Sequence, residues 1–230
     1  MSNVAFRFVC ATRERSELFP TKTALGRSLM PYLRSPQVEL KLFAENRRGL
    51  PQLYNEAIRE AARRPATLIF IHDDVHLLDF FWAMHVMTGL RSFDVVGLAG
   101  NKRRVPRQPS WYHIDEGFTR DAPENLSGIV GHGSAFPPGN VSFYGPPGQQ
   151  VKLLDGLFLA VHSQTLLAKQ IEFDERFDFH FYDMDFCRQA EAHDLRLGTW
   201  TVAVIHESGG NFASDGWRAG YARYLDKWHS

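Results

Sequence analysis

Two carboxylates and two imidazoles that follow one apolar run are the residues best suited to chemistry. The apolar residues 69–71 lead directly into His72, Asp73 and Asp74, and His76 comes two positions later. Adjacent carboxylates are costly unless they are solvated or neutralised, and a divalent cation neutralises them well. The alternative is a strand-end turn in which Asp74 caps the next helix. The run therefore indicates either a metal-binding site or a capped turn.

The elements predicted around this run place it at the end of a central strand. Residues 4–10, Val38–Phe43 and Thr67–Ile71 have the short apolar or alternating pattern of strands. Between the second and third strands, apolar residues recur at helical spacing over residues 50–61. This alternation predicts an α/β domain with a mostly parallel central sheet flanked by helices. Ligands bind at the carboxyl ends of strands in such sheets, so the position of the run suggests a site.

The second half of the chain continues the alternation on either side of an irregular stretch. The further predicted elements are strands over residues 94–99, 152–161 and 199–205, a helix N-capped by Ser163, and a helix over residues 182–193. The Gly- and Pro-rich residues 131–148 predict no regular element and a candidate wall of the active site. Residues 207–230 predict a mobile tail, or lid, that leads to a short helix. All of these elements are assigned to a single domain, residues 1–230.

Composition places the chain among ordinary globular proteins and excludes several classes. Its 26 Lys plus Arg equal its 26 Asp plus Glu, so it lacks the basic surplus of a nucleic-acid-binding protein. Two cysteines among 230 residues do not indicate a disulfide framework or a zinc site. The N-terminus lacks the pattern of a signal peptide, and no apolar run approaches the ~20 residues that span a bilayer. A cytoplasmic protein is therefore expected.

Further motifs follow one another in a fixed order along the chain. They are Glu45-Asn46-Arg47-Arg48-Gly49 with Asn55 on the following helix, Asp155-Gly156 on a strand, Phe173-Asp174-Glu175-Arg176-Phe177 with Tyr182-Asp183-Met184-Asp185, and His206-Glu207-Ser208-Gly209. Together with the acidic run, this order resembles the family 2 type of GT-A glycosyltransferases. The resemblance spans about residues 4–210 and is weakest over residues 101–148. Each motif alone is weak evidence, whereas the complete order is specific.

The resemblance implies a single GT-A (Rossmann-like) domain that moves a sugar from a nucleotide-diphosphate donor. A UDP-sugar is the favoured donor. The acceptor would be a hydroxyl of a glycan, a lipid-linked molecule or a protein. A divalent cation would stabilise the departing diphosphate. Asp74 and His206 match the metal ligands of the family, and this mixed donor set suits Mn²⁺ somewhat better than Mg²⁺. The family often has Asp where this chain has His72, which leaves the role of that position open.

The paired carboxylates Asp183 and Asp185 match the motif that supplies the catalytic base in the family. An acceptor hydroxyl is a poor nucleophile, and a positioned carboxylate that takes its proton makes the attack feasible. The match assigns this role to Asp183 and implies direct displacement with inversion. Asp185 is interpreted as a carboxylate near a helix N-terminus that interacts with the helix dipole or with Arg188.

Donor-binding residues follow from the resemblance in the same way. They are Thr12, Arg13, Glu45, Asn46, Asn55, Asp73, Asp155 and Gly156. Asparagine side chains both donate and accept hydrogen bonds, which suits the edge of a uracil or another base. Asp155 is expected near the hydroxyls of the donor sugar, and Gly156 allows close approach of the backbone. Trp217 is expected to stack on an acceptor sugar, whereas core packing is expected for Trp111 and Trp200.

Two other functions use the same residues and stay open. A metal-dependent phosphohydrolase or nucleotidyltransferase would turn over phosphate esters without an acceptor sugar. A non-catalytic nucleotide-sugar-binding module would keep donor binding after the loss of Asp183. The sequence contains no Ser-centred nucleophile elbow, no Walker-type phosphate loop and no Gly-x-Gly-x-x-Gly fingerprint, which sets those enzyme classes aside.

Overall fold

The strands and helices of the chain come from a computed structural model that describes residues 5–210 and 212–229. Val4, where the predicted first strand begins, and Ser230, where the predicted tail ends, lie outside the described residues. The strands are β1 (Phe6–Ala11), β2 (Val38–Phe43), β3 (Thr67–Ile71), β4 (Val75–Leu77), β5 (Val95–Gly97), β6 (Ala99–Asn101), β7 (Leu126–His132), β8 (Asn140–Gly145), β9 (Gln150–Val151), β10 (Leu153–Leu154), β11 (Phe158–His162), β12 (Leu197–Thr199) and β13 (Val204–His206). The α-helices are α1 (Phe19–Lys22), α2 (Ala24–Leu29), α3 (Leu50–Glu60), α4 (Trp82–Ser92), α5 (Ser163–Lys169), α6 (Tyr182–Ala192) and α7 (Asp215–Trp228).

Two sheets organise these elements. The main sheet has the strand order β2-β1-β3-β11-β5-β12-β9, and the second sheet has the order β10-β6-β7-β13-β4, with β8 paired to β7. In the main sheet β1 runs parallel to β2 and β3, and β12 runs parallel to β5. Strand β11 runs antiparallel to both of its neighbours, β3 and β5. The predicted α/β class is confirmed, but the sheet is mixed rather than mostly parallel.

Strand β11 is reversed because of where the chain rejoins the main sheet. After β5 the chain passes into β6 of the second sheet, and no α-helix lies between β5 and β11 in the described chain. A parallel strand needs a long crossover, usually a helix, that returns the chain to the other end of the sheet. The chain therefore enters β11 from the carboxyl end of β3, where Phe158 pairs with Ile71. This reversal brings residues 155–157 next to the residues that follow β3.

The core between α3 and the main sheet is built from aromatic rings. Tyr54 of α3 lies 4.6 Å from Phe70 of β3, measured between ring centroids, and 5.2 Å from Phe173. Phe173 in turn stacks on Phe186 of α6 at 4.4 Å. All four rings are buried. Helix α3 forms where its apolar spacing predicts it, because that spacing puts one apolar face against these rings.

Asn55 joins α3 to the segment that precedes α6. Its amide nitrogen donates to the Phe173 carbonyl at 2.9 Å, and its amide oxygen accepts from the Phe173 N–H at 2.8 Å. The amide nitrogen also donates to the Glu175 carboxylate at 3.0 Å. Asn55 is 1% exposed, so these bonds satisfy a polar group that would otherwise be unpaired in the core. The resemblance implied a donor contact for Asn55, but the structure uses its amide inside the fold.

The prediction that residues 131–148 form no regular element is wrong. The stretch contains the end of β7 and all of β8, which pair as an antiparallel hairpin. Two of its glycines, Gly131 and Gly145, lie in strands where other backbone comes close. A side chain on Gly145, for example, would overlap the Leu126 carbonyl, and the pairing register shifts beside it. Glycine in a strand marks such close approaches and bulges, and here it was interpreted as a loop signal.

Other predicted boundaries moved because the chain changes sheets within a single apolar run. The predicted strand over residues 152–161 is divided into β10 and β11, and that over residues 199–205 is divided between β12 and β13. Each pair has one member in each sheet. Ser163 is the first residue of α5 rather than its N-cap, and its hydroxyl accepts from the Ala66 N–H at 3.2 Å. The N-cap position belongs to His162, which makes no side-chain capping bond.

The tail is more ordered than predicted. Helix α7 has 14 residues, and Ser214 caps it by accepting from the Trp217 N–H at 3.2 Å. Near its end, the Lys227 ammonium lies 2.7 Å from Asp174 and 2.6 Å from the buried Asp185. A docked helix of this length is not a mobile tail. The lid interpretation is therefore confined to residues 207–214, where it stays a prediction.

In the part of the chain that is described, none of the helices has the length and apolar character needed to cross a bilayer.

Replacing Asn55 with alanine is expected to destabilise the fold. The change leaves the Phe173 N–H and carbonyl unpaired in the core, and each such loss costs about 1–3 kcal/mol. The free energy of unfolding, measured by urea denaturation, is therefore expected to fall by about 2 kcal/mol or more. Gln52→Ala, at a half-exposed position of the same helix, is the control and is expected to change stability by less than about 0.5 kcal/mol. An unchanged urea midpoint in Asn55→Ala would contradict the role given to this residue.

Candidate active site

The acidic run lies where the chain passes from the main sheet into the second sheet. Strand β3 ends at Ile71 and β4 begins at Val75, so residues 72–74 belong to neither sheet. The His72 N–H donates to the Leu157 carbonyl at 3.2 Å, which fixes the backbone at this passage. The side chains of residues 72–74 line the cavities at this edge rather than packing on a sheet face. The predicted strand-end site therefore exists, although it lies at a junction between two sheets.

Strand β13 brings His206 to Asp74. It runs antiparallel to β4, so His206 pairs with Val75, the residue after Asp74. The Glu207 N–H then donates to the Asp74 carbonyl at 2.9 Å. The His206 Nε2 atom lies 3.4 Å from the Asp74 Oδ1 atom and 3.1 Å from the Ser208 hydroxyl. Residues about 130 positions apart in the sequence are thus neighbours because two short strands pair.

Three side chains at this point could hold one cation. His72, Asp74 and His206 each offer a ligand atom, and these atoms lie within 4.8 Å of one another. The Asp74 Oδ1 atom is buried and has no hydrogen-bond partner in the described chain. A buried carboxylate oxygen with an unused lone pair is costly, and a cation would satisfy it. One oxygen and two imidazole nitrogens fit a first-row divalent cation such as Mn²⁺.

The charges of this cluster keep one ligand ionised. Burial disfavours the ionised form of Asp74, but the charge of His206, whose Nε2 atom lies 3.4 Å away, holds the pKa of Asp74 well below its usual range. Burial likewise opposes the charged form of His206, yet Asp74 raises the pKa of His206 above its ordinary value. Burial lowers the pKa of His72, whose Nε2 atom lies 2.8 Å from the Tyr182 hydroxyl. Protonation of His206 and binding of a cation therefore compete for the same nitrogen.

Asp155 and Gly156 occupy the turn before β11. The Asp155 carboxylate accepts from the Trp111 indole N–H at 2.8 Å and from the Leu157 N–H at 3.0 Å. A side chain on Gly156 would overlap the Tyr182 hydroxyl, which donates to the Gly156 carbonyl at 2.9 Å. Glycine is therefore required here by the packing of Tyr182, a reason that the sequence alone did not suggest.

Asp183 is a partly buried carboxylate in the first turn of α6. Its Oδ2 atom accepts from the Gly156 N–H at 3.0 Å, and its Oδ1 atom accepts from the Met184 N–H at 2.8 Å. Burial and, after it, the nearby charge of Asp155 raise the pKa of Asp183 to about 7. A carboxylate with a pKa near neutrality can both accept and release a proton at the working pH. Asp183 therefore has the properties of a general base.

Asp185 points away from the cleft, as expected for a residue two positions further along a helix. Its carboxylate is buried and lies 2.6 Å from the Lys227 ammonium and 2.8 Å from the Trp228 indole nitrogen. Gln189 donates to it at 2.6 Å. The partners that hold Asp185 therefore include two residues of α7, whereas the sequence suggested Arg188. The role of Asp185 is to anchor α7.

Four more of the donor-binding residues inferred from the resemblance, Thr12, Arg13, Glu45 and Asn46, lie on the loops after β1 and β2 and in neither cavity lining. The Asn46 N–H donates to the Thr12 carbonyl at 2.8 Å, which joins the loops after β1 and β2. The Asn46 side chain closes its own turn with the backbone of Arg48. Arg13 and Glu45 are exposed on these loops. Thr12 is buried, and its hydroxyl contacts Asp73, whose pKa is nevertheless raised by burial.

One large cleft joins most of these groups. It has a volume of about 760 Å³ and contains His72, Asp74, Asp155, Asp183 and His206 in its lining. A smaller cavity of about 80 Å³ adjoins it beside Asp73, with a floor of Ala11, Leu50, Tyr54 and Ile71. The structure therefore brings together the acidic run, the Asp-Gly turn, Asp183 and His206. Asn55 lies in neither lining.

Several lining residues were missed or misplaced by sequence reasoning. Trp111 is buried in the core as expected, and it also lines the cleft and donates to Asp155. Trp200 packs against Phe93, and Trp217 lines the cleft, where stacking on an acceptor sugar stays a prediction. Tyr182 directly precedes Asp183 in the sequence, which was only a weak indication that it lines the cleft. Arg120 gave none, because its position depends on a hairpin formed by residues 112–121.

Solved structures show which fold this arrangement belongs to. The crystal structure of GalNAc-T7 with UDP, GalNAc and Mn²⁺ is similar with a TM-score of 0.57 and 11% identity, covering 98% of this chain and 48% of that chain. The crystal structure of residues 1–349 of S. aureus TarS is similar with a TM-score of 0.50 and 13% identity, covering 88% of this chain and 60% of that chain. This chain thus spans only part of the length of either protein. At these identities the likeness shows the fold, which is that of the GT-A glycosyltransferases.

Sequence comparison adds the family. No match is found among curated proteins. A family model described as "Glycosyltransferase like family" matches residues 35–219, which include the acidic run, the Asp-Gly turn, Asp183 and His206. The match covers most of the chain, and the expected fold agrees with it. The chain therefore belongs to the glycosyltransferase-like family.

Proposed function

We propose that this chain transfers a sugar from a UDP-sugar to an acceptor hydroxyl, with a divalent cation and with inversion at the sugar carbon. The observation that carries the proposal is a single cleft in which His72, Asp74 and His206 lie together with Asp183. The likeness to GalNAc-T7, whose structure is described with UDP, GalNAc and Mn²⁺, supports the donor and the cation.

The cation would be held by His72, Asp74 and His206. When bound, it supplies positive charge that stabilises the departing diphosphate. Ligands of this kind bind in their deprotonated forms. The low pKa of Asp74 and the lowered pKa of His72 meet that requirement at neutral pH, whereas His206 must release its proton.

The donor would extend along the cleft from the rim to Asp155. The small cavity beside Asp73 has apolar walls from Ala11 and Leu50, which suit a nucleoside. Thr12, Arg13, Glu45 and Asn46 lie on the loops after β1 and β2 and are proposed contacts of the base and ribose. Asn55 is left out of this proposal because its amide is bonded to Phe173. Asp155 would then lie beside the hydroxyls of the donor sugar.

Asp183 would take the proton of the acceptor hydroxyl during attack. The N–H groups of Gly156 and Met184 hold its two oxygens, so the carboxylate is oriented before an acceptor arrives. A carboxylate that deprotonates the acceptor, and forms no bond to the sugar, corresponds to one displacement and hence to inversion. The acceptor would be a hydroxyl on a glycan, a lipid-linked molecule or a protein.

Calorimetric titration with UDP, with and without Mn²⁺, tests the donor site. Mn²⁺ is expected to strengthen UDP binding in the native protein. His72→Ala, Asp74→Asn and His206→Ala are each expected to weaken the Mn²⁺-dependent binding at least about tenfold, because loss of even an outer partner of a metal ligand costs that much. His193→Ala, which changes an exposed histidine after α6, is the control. UDP binding that is indifferent to Mn²⁺ and to all three variants would overturn the metal site.

Asp183→Asn separates transfer from donor binding. We expect the variant to keep Mn²⁺-dependent UDP binding and to lose transfer from a UDP-sugar, measured as incorporation of labelled sugar. A native protein that binds donors and transfers to no acceptor would indicate a binding module. Turnover of phosphate esters without an acceptor would indicate a phosphohydrolase instead.

The rate of transfer is expected to fall as the pH is lowered. The raised pKa of Asp183, about 7, means that the carboxylate is ionised and able to accept a proton above that pH and is protonated below it. The acidic limb of the profile is expected near pH 7, or lower where a bound cation stabilises the carboxylate. Asp155→Asn removes a like charge and is expected to shift this limb to lower pH, whereas Asp226→Asn, at an exposed position of α7, is expected to leave it in place. An acidic limb that stays at the same pH in Asp155→Asn would rule out the effect of the Asp155 charge on the pKa of Asp183.

A further inference from the structure

A short hairpin over residues 112–121 contributes Tyr112, His113 and Arg120 to the lining of the cleft. His113 and Arg120 pair across it, and the Ile114 N–H donates to the Thr119 carbonyl at 2.9 Å. The end of the hairpin is anchored by the buried Asp121. The Asp121 carboxylate accepts from Asn101 at 2.8 Å, from the Nε atom of Arg103 at 2.9 Å and from Asn125 at 2.9 Å. The backbone that carries Arg120 is therefore held in place by the residue next to it.

Arg120 lines the cleft with its charge uncompensated. It is the one arginine or lysine among the described lining residues, and no carboxylate of the described chain pairs with it. Its guanidinium lies over the ring of Tyr112, 5.4 Å from the centroid. The neighbouring arginines do have carboxylate partners. They form the pairs Arg103–Asp121, Arg104–Glu191 and Arg107–Glu116.

The lining of the cleft contains groups of opposite charge. Asp74, Asp155 and Asp183 contribute carboxylates, whereas the hairpin contributes a cation and aromatic rings. Tyr112 lies 5.3 Å from Tyr144, and Trp111 lies 4.9 Å from the same ring. A sugar can pack on such rings, and a guanidinium binds a carboxylate or phosphate group through two parallel hydrogen bonds. An anionic group on an acceptor is repelled by the carboxylates and attracted to the hairpin.

We propose that the acceptor carries an anionic group, a carboxylate or a phosphate, that binds Arg120 while its reacting hydroxyl lies at Asp183. The inference rests on the proposed transferase function, since it assigns acceptor binding to further lining residues of the same cleft. The anionic group orients the acceptor, because Arg120 attracts it and the carboxylates of the cleft repel it. Arg120 acts as a specificity-determining residue and takes no part in proton transfer.

Binding of three small probes that differ in charge tests this assignment. Methyl glucoside is neutral, methyl glucuronide carries a carboxylate, and glucose 6-phosphate carries a phosphate. Dissociation constants are measured by NMR titration at low ionic strength, both without additions and with UDP and Mn²⁺. At least one anionic probe is expected to bind about tenfold more tightly than methyl glucoside, and the better of the two identifies the anionic group.

Substitutions at Arg120 show whether the hairpin is responsible. Arg120→Gln is expected to abolish the preference for the anionic probe, and Arg120→Lys is expected to keep part of it, because lysine retains the charge without the planar fork. Arg91→Gln, at an exposed position of α4, is the control and is expected to keep the full preference. Equal binding of neutral and anionic probes, or a preference that survives in Arg120→Gln, overturns the proposal.

The same titrations keep the two proposals apart. An anion preference that depends on Arg120 in the absence of nucleotide supports the anion site even where UDP fails to bind, and that failure counts against the transferase function alone. Conversely, Mn²⁺-dependent UDP binding without any anion preference leaves the donor site intact and removes the assignment of Arg120.

Discussion

The site depends on one topological constraint, which is that the chain passes between its two sheets at a common edge. It does so at residues 72–74 between β3 and β4, at Leu98 between β5 and β6, at residues 155–157 between β10 and β11, and at residues 200–203 between β12 and β13. A residue within a strand has its backbone paired and its side chain packed on a face. A residue at a passage lies outside the strands, and its side chain is not packed on a sheet face. A polar side chain can therefore face a cleft there without disrupting a sheet.

Strand direction then decides which passages meet. The antiparallel pairing of β11 with β3 sets Asp155 and Gly156 beside the acidic run, and the antiparallel pairing of β13 with β4 sets His206 beside Asp74. Parallel strands in the same positions would have put these residues at opposite edges. Both reversals, that of β11 in the main sheet and that of β13 in the second sheet, are therefore conditions of the site, since these strands carry two of the groups that the cleft brings together.

Burial at this edge gives similar side chains different protonation behaviour. Asp74 has His206 as a partner and stays ionised, whereas Asp183 is buried near the charge of Asp155 and has a pKa of about 7. The difference in protonation between these two carboxylates is thus a difference in neighbours. Asp185, two residues from Asp183, has Lys227 as its neighbour and serves to attach α7.

The sequence by itself determined the features that depend on residues close together in the chain. The bounds of β2 and β3 agree with the prediction, α3 covers the apolar pattern that starts at Leu50 and ends before Pro65 as predicted, and the order of motifs indicated the family and most of the cleft carboxylates. These features follow from side-chain periodicity and residue type, which are properties of the sequence itself.

Tertiary structure decided the features that depend on residues far apart in the chain. Asn55 bonds to Phe173, 118 positions away, and Gly131 and Gly145 lie in strands where other backbone approaches them closely. The addition of His72 as a third potential ligand and the placement of Arg120 in the cleft likewise depend on how sheets and hairpins pair, because the direction of a side chain is set by register and not by residue type.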